Sequence, residues 1–176
     1  RRHELKDNDL AAALGNTRDY LDRHGKQIGM AALAILAVMA AVTFAMRSRA
    51  AAIEDVWRRR GELSFDDYEK GKKAVETLEA LTQELSDPAF VMSALTDQGQ
   101  RSLRLAQMAP LPPDKDLNER ARKAFEDLRS RFPKNPLALG ASLLGLASVA
   151  ENDFVLSGDI KHKESARSLL NQVVQE

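Results

Sequence analysis

Three histidines, His3, His24 and His162, are the residues most suited to metal ligation or proton transfer, and none is paired at an i,i+4 step. A zinc site needs three or four convergent donors, which this scatter does not supply. Asp114, Asp116 and Asn118 imitate the opening of a calcium loop. The position that must be glycine is then Glu119, and the one that must be a bidentate glutamate is Phe125, so the loop fails. Asp116 reads instead as a helix N-cap, with Glu119 three residues later completing a capping box. The acidic pairs Glu54-Asp55 and Asp66-Asp67 are sequence neighbours, which on a helix do not face each other and share no proton. Gly140 and Gly145 lie in a helical pattern without the Lys-Ser/Thr that a phosphate loop needs, and Gly158 reads as a turn residue. No serine sits in a nucleophile motif, and there is no cysteine for thiol, disulfide or thiolate-metal chemistry. The sequence therefore offers no catalytic, cofactor-binding or metal-binding residue, and a non-enzymatic role is expected.

What could position anything here begins with Ile28 to Met46, 19 consecutive residues without a charge in a chain that is 30% charged. At about 1.5 Å per residue such a helix spans about 28 Å, close to the hydrocarbon thickness of a bilayer. A buried helix of a soluble protein is usually shorter and carries a polar stripe. A signal peptide has a shorter apolar stretch and a shorter leader than the 27 residues found here. A single membrane anchor is the reading that remains. Ala34, Ala37, Ala41 and Ala45 share one face of it, a small-residue stripe suited to close packing against another membrane helix, or else ordinary anchor composition. Ahead of it, Leu10, Leu14, Thr17, Leu21, His24 and Ile28 follow i+3/i+4 steps, so residues 1–27 are expected to form an amphipathic helix.

The 27 residues before the anchor carry six Lys/Arg and five Asp/Glu, and the 130 after it carry 20 and 21. Neither side has the concentrated positive stripe that nucleic acid requires. About 130 residues suffice for one domain with its own core. The first residue is not Met and Gln175-Glu176 falls in mid-helix pattern, so the chain is expected to continue at both ends.

Beyond the anchor the composition predicts helix throughout: aromatics are 5%, and Ala, Leu, Glu, Lys and Arg dominate. Breakers divide it into Arg47–Glu62, Asp66–Leu85, Pro88–Met108, Leu117–Phe132, Pro136–Ala150 and Lys161–Gln175. The separators include Ala109-Pro110-Leu111-Pro112-Pro113 and the loop Glu151 to Asp159. Pro88 and Pro136 suit a first helical turn, with Asp87 and Asn135 as caps. Residues 47–65 would form a linker helix continuing from the membrane, and 66–176 the folded domain. The second helix of each successive pair repeats one pattern: Ala74, Leu78, Leu81; then Ala121, Phe125, Leu128; then Ala166, Leu170, Val173. The alanines are 47 and 45 residues apart, which indicates three stacked helical hairpins packing through these positions.

Ala121, Phe125, Leu128 and Pro133 resemble the second helix of the tetratricopeptide repeat family, with Leu in place of its last Ala. Leu143-Leu144-Gly145 is a trace of the Leu-Gly step of the first helix, whose Trp and Tyr are missing. The period is longer than the family's usual 34 residues, so the resemblance implies degenerate repeats with extended loops. The wider order is a polar N-terminal region, one anchor, a helix with Trp57, then FPKNPLALGASLLGLASVAE. It resembles the single-pass bacterial proteins related to the ancillary subunit of the SecYEG translocon. That resemblance implies an inner-membrane protein whose repeats work in the periplasm as partners of translocon and chaperones. Flanking charge points the other way. Three Lys/Arg precede the anchor within 20 residues and five follow it, which by the positive-inside rule favours cytoplasmic repeats. The resemblance is given precedence.

Three further features could bind partners. Arg58-Arg59-Arg60 could touch lipid headgroups or an acidic partner, or be solvated helix surface. Trp57 could anchor at the interface or enter the core of the first hairpin. The stretch Pro136 to Ala150 holds no charge, so it must be covered on several sides. Leu137, Leu139, Leu143, Leu144, Leu146 and Val149 are expected in the core, leaving Ala138, Ser142 and Gly145, with Ala141 and Ser148, as a small-residue surface. Neighbouring repeats would cover it, or a partner helix or peptide would. Two functions follow: an anchored protein–protein adapter, or a structural accessory subunit of a larger membrane complex, for example a respiratory one.

Overall fold

The computed structural model describes the backbone of residues 2–108 and 112–175, and the side chains of residues 24–108 and 112–174. Leu10, Leu14, Thr17 and Leu21 of the expected amphipathic stripe, and Ala109-Pro110-Leu111 of the expected breaker, lie outside what is described. Within it the chain is all helix: α1 Arg2–Gly61, α2 Tyr68–Glu84, α3 Pro88–Met108, α4 Lys115–Arg131, α5 Pro136–Ser157 and α6 Ile160–Gln175. The chain divides into two compact units, Arg1–Ala51 and Ala52–Glu176.

Local chemistry sets most of these boundaries. Asp67 caps α2 by accepting the Lys70 N–H, Asp87 accepts the Phe90 N–H at 2.9 Å, and Asn135 caps α5 by accepting the Ala138 N–H. Pro88 and Pro136 stand in first turns, where a missing N–H is harmless. The expected cap of α4 is corrected: it is Asp114, which accepts the Leu117 N–H, while Asp116 lies inside the first turn and pairs with Arg120 at 3.1 Å. Glu119 pairs with Arg122 instead of closing a capping box. Asp114 has an advantage that local pattern does not carry, since the Tyr68 hydroxyl from α2 also donates to it. The expected loop 151–159 is likewise helical through Ser157. α5 stops only where Gly158 adopts φ 71, a left-handed cap that glycine takes without steric strain.

In the second unit the helices pack in chain order, α2 on α3, α3 on α4, α4 on α5 and α5 on α6, with α3 also meeting α5. Val56, at the end of α1, is buried with Leu78, Leu81, Phe90 and Ala94. Val75, Leu105, Ala106 and Leu117 form the next cluster. Val91, Leu95, Leu103, Ala121, Ala124, Phe125, Leu128, Ala138 and Val149 form the third. At its centre the Phe125 ring fills two backbone notches. A Cβ at Gly99 would lie 2.5 Å from the ring and one at Gly145 2.3 Å, so only glycine lets α3 and α5 close on it from both sides.

Of the repeated positions, Ala74, Leu78, Leu81, Ala121, Phe125, Leu128 and Ala166 are buried. Leu170, expected to pack between hairpins, is a correction at 41% exposed, and Val173 is partly covered. α6 packs inward against α5 through Ala166, and its remaining face has no helix beyond it among the described residues.

Candidate functional site

The apolar stretch of α1 is exposed along its length, with Leu33 at 68% and Phe44 at 75%. Ala34, Ala37, Ala41 and Ala45 are all exposed along it. Thr43 returns its hydroxyl to the Met39 carbonyl at 2.7 Å, so that polar group is satisfied within the helix. Among the described residues two helices are long and apolar enough to cross a membrane, His24–Gly61 and Pro136–Ser157. They differ in surroundings, because α5 contributes Ala138, Leu143, Ala147 and Val149 to the core.

α5 departs from the sequence expectation in part. Leu143 and Val149 are in the core as expected, and Ala138, Ser142 and Gly145 are covered by the neighbouring helices, the first of the two alternatives. Leu137 and Leu144, expected in the core, are instead 78% and 49% exposed. In a helix apolar all round, periodicity cannot say which side faces in. Side-chain volume decides locally: where the Phe125 ring occupies the groove the facing position of α5 is Gly145, and Leu143 and Val149 fill the interior on either side of it. Leu137 borders a cleft of about 360 Å³ lined also by Arg60, Met92, Thr96, Asp97 and Ala141, among others. One wall carries an ion pair, Arg60 to Asp97 at 3.0 Å. The rest mixes Met92, Leu137 and the α5 alanines with the hydroxyls of Ser93 and Thr96.

The basic run is consumed within the chain. Arg58 pairs with Asp55 and Glu62, Arg59 with Asp55 and Glu84, and Arg60 with Asp97. Arg60 also stands 5.0 Å over the Trp57 ring, and Trp57 meets Phe90 edge-on at 5.2 Å. Trp57 thus packs one edge against α3 while staying 38% exposed, outside the core clusters.

Polar groups that the motif search did not single out as a network come together between α4 and α5. The buried Asn118 amide donates to the Val149 carbonyl at 3.3 Å and to Asp153 at 2.8 Å, and its oxygen accepts from Asn152 at 3.0 Å. Arg122 pairs with the same Asp153. One signal was legible: Asn118 stands on the stripe Asn118, Ala121, Phe125, Leu128, a polar residue among core positions. The network joins two helices and holds no open coordination position. Asp114 and Asp116 are occupied by Tyr68, Leu117 and Arg120, and among the described residues no group of three or more His, Asp or Glu is placed to hold a metal ion.

The Tyr68–Asp114 bond makes stability pH-dependent. Accepting the bond at Asp114, aided by partial burial, pushes the Tyr68 pKa up to about 12. Burial alone would raise the Asp114 pKa, but hydrogen bonds from Tyr68 and the Leu117 N–H outweigh it and hold the carboxyl below its usual range. The aspartate contribution is present above the ordinary carboxylate pKa near 3.9 and is lost as pH falls through the lower folded value. The tyrosine contribution is present below about 10 and is lost as pH rises through the folded value. Tyr68→Phe should destabilise by about 1–2 kcal/mol at neutral pH, with the gap narrowing at both extremes. Urea unfolding at a series of pH values measures it, and a gap independent of pH would refute the assignment.

Comparison with family models, with curated proteins and with solved structures finds no match to this chain.

Proposed function

We propose that this chain is a non-catalytic, membrane-anchored adapter. Its α1 stretch sits in the bilayer, and its helical unit, a degenerate tetratricopeptide-like array of about three hairpins, offers a binding surface to other proteins. The observation that carries this reading is the cleft beside Leu137. α5 leaves Leu137 on the surface next to Met92 and Ala141, and Leu144 is exposed on the same helix. Exposed apolar groups gathered at a concavity are the usual mark of an interaction site.

By resemblance, the setting is the bacterial inner membrane with the helical unit in the periplasm, and the partners are translocon subunits or chaperones. Protease treatment of intact spheroplasts tests the side, since protection of residues 66–176 would place them in the cytoplasm. Purification in mild detergent with mass spectrometry of co-purifying chains tests the class. Leu137→Glu together with Leu144→Glu should abolish recovery of soluble partners while leaving the melting temperature nearly unchanged, because both side chains are exposed. Unchanged recovery would refute the cleft as the docking site.

A second reading, the accessory subunit, is favoured by the alanine face of α1. If that face packs against another membrane helix, Ala41→Leu forces the backbones apart, and overpacking of this kind costs about 1–3 kcal/mol. Val38→Leu, on a different face, should be silent. Both variants are compared by yield of co-purifying membrane subunits at matched membrane levels. Equal yields would reduce the stripe to ordinary anchor composition.

A further inference from the structure

A separate cleft, of about 620 Å³, opens between the turn after α1 and the second half of α3. Its α3 wall is a single helical stripe, Arg101, Arg104, Leu105 and Met108, and its other wall presents Leu63 and Phe65 from the turn. The volume lies within the range of small-molecule sites, about 300–1,000 Å³. The two arginines are held differently. The Arg101 guanidinium lies 4.1 Å over the Phe65 ring and approaches Asp97 at 3.6 Å, so it is fixed in place. Arg104 is exposed and makes no ion pair among the described residues. Asp66 is the acidic lining residue, and its carboxylate accepts the Ser64 hydroxyl at 2.7 Å.

A mixed cleft, with guanidinium groups along one edge and the apolar side chains of Leu63, Phe65 and Met108 beside them, suits a ligand that is itself divided into a hydrocarbon part and an anionic end. A guanidinium recognises carboxylate and phosphate alike, by paired charge-assisted hydrogen bonds. We propose that this cleft binds a single-chain anionic amphiphile. Its carboxylate or phosphate head lies at Arg104 with support from Arg101, and its alkyl chain runs along Leu63, Phe65, Leu105 and Met108. The proposal is independent of the adapter reading, which concerns the cleft beside Leu137.

The methionines give a local readout, because Met92 and Met108 are the two outside the apolar stretch and only Met108 lines this cleft. The full chain, carrying methyl-labelled methionine, is placed in nanodiscs of zwitterionic lipid and titrated with octanoate, octyl phosphate, octanamide and inorganic phosphate. Saturable movement of the Met108 signal with octanoate or octyl phosphate, and not with the other two, is the expected result; the tighter of the two identifies the head group. The Met92 signal should stay fixed. Arg104→Gln should weaken the response at least tenfold and Arg104→Lys much less, with the Met92 signal reporting that the fold is intact. An equal response to octanamide would mean an apolar cleft without head-group recognition and would overturn the proposal. So would saturation by inorganic phosphate alone, an Arg104→Gln variant that binds like the parent, or no Met108 response to any probe.

Discussion

Phe125→Ala is expected to be the most damaging single substitution in the helical unit, lowering its stability by about 3–5 kcal/mol. The ring is 1% exposed and fills a space that no other side chain can enter, because Gly99 and Gly145 contribute only backbone there. Domain stabilities are commonly about 5–15 kcal/mol, so the variant would lie near the edge of folding. The converse change tests the same geometry from the other side. Gly145→Ala would put a methyl group inside the ring's volume and should cost about 1–3 kcal/mol. In a Phe125→Leu background the alanine should be tolerated better, since the smaller side chain vacates the notch. Urea unfolding of the four proteins completes the cycle. Additive effects would show that Phe125 and Gly145 do not share the space.

Leu36→Arg is expected to have the largest effect on localisation. The position is near the middle of the apolar stretch and its side chain is 60% exposed. An arginine at the centre of a membrane helix is disfavoured by about 2.5–3.5 kcal/mol on the insertion scale. Every 1.4 kcal/mol is about tenfold in an equilibrium, so the insertion equilibrium constant should fall by about two orders of magnitude. Leu36→Met should insert normally. Carbonate extraction of membranes separates the two outcomes. Equal retention of Leu36→Arg would mean that this segment does not sit in lipid.

Features set within one helical turn were legible in the sequence, and those set by tertiary contact were not. Helix starts at Pro88 and Pro136 were legible because proline and the preceding Asp or Asn act within one turn. The interior positions Ala74, Ala121 and Phe125 were legible because the other side of each helix is charged, which leaves one apolar stripe. α5 lacks that contrast, so pattern alone could not tell that Leu137 and Leu144 face out while Ala138, Ser142 and Gly145 are covered by neighbouring helices. Asp114 and Asp116 are equivalent as caps over a single turn. Tyr68, 46 residues away along the chain, marks the first of them out. The basic run Arg58-Arg59-Arg60 was ambiguous for the same reason, since Glu84 and Asp97 come from other helices. Leu170 and Val173 matched the repeat pattern, but pattern alone does not supply the neighbour that would cover them.

The apolar character of α5 also has a consequence for the order of events during synthesis. Pro136–Ser157 meets the length and hydropathy of a bilayer span, although in the finished unit it lies among its neighbours. On the anchored reading proposed above, this second apolar segment emerges after α3 and α4 have already been made. Those helices are then available to cover α5 as it appears, with the ring of Phe125 closing into the glycine notches. On that reading the contacts that stabilise the unit are also the ones that keep α5 out of lipid.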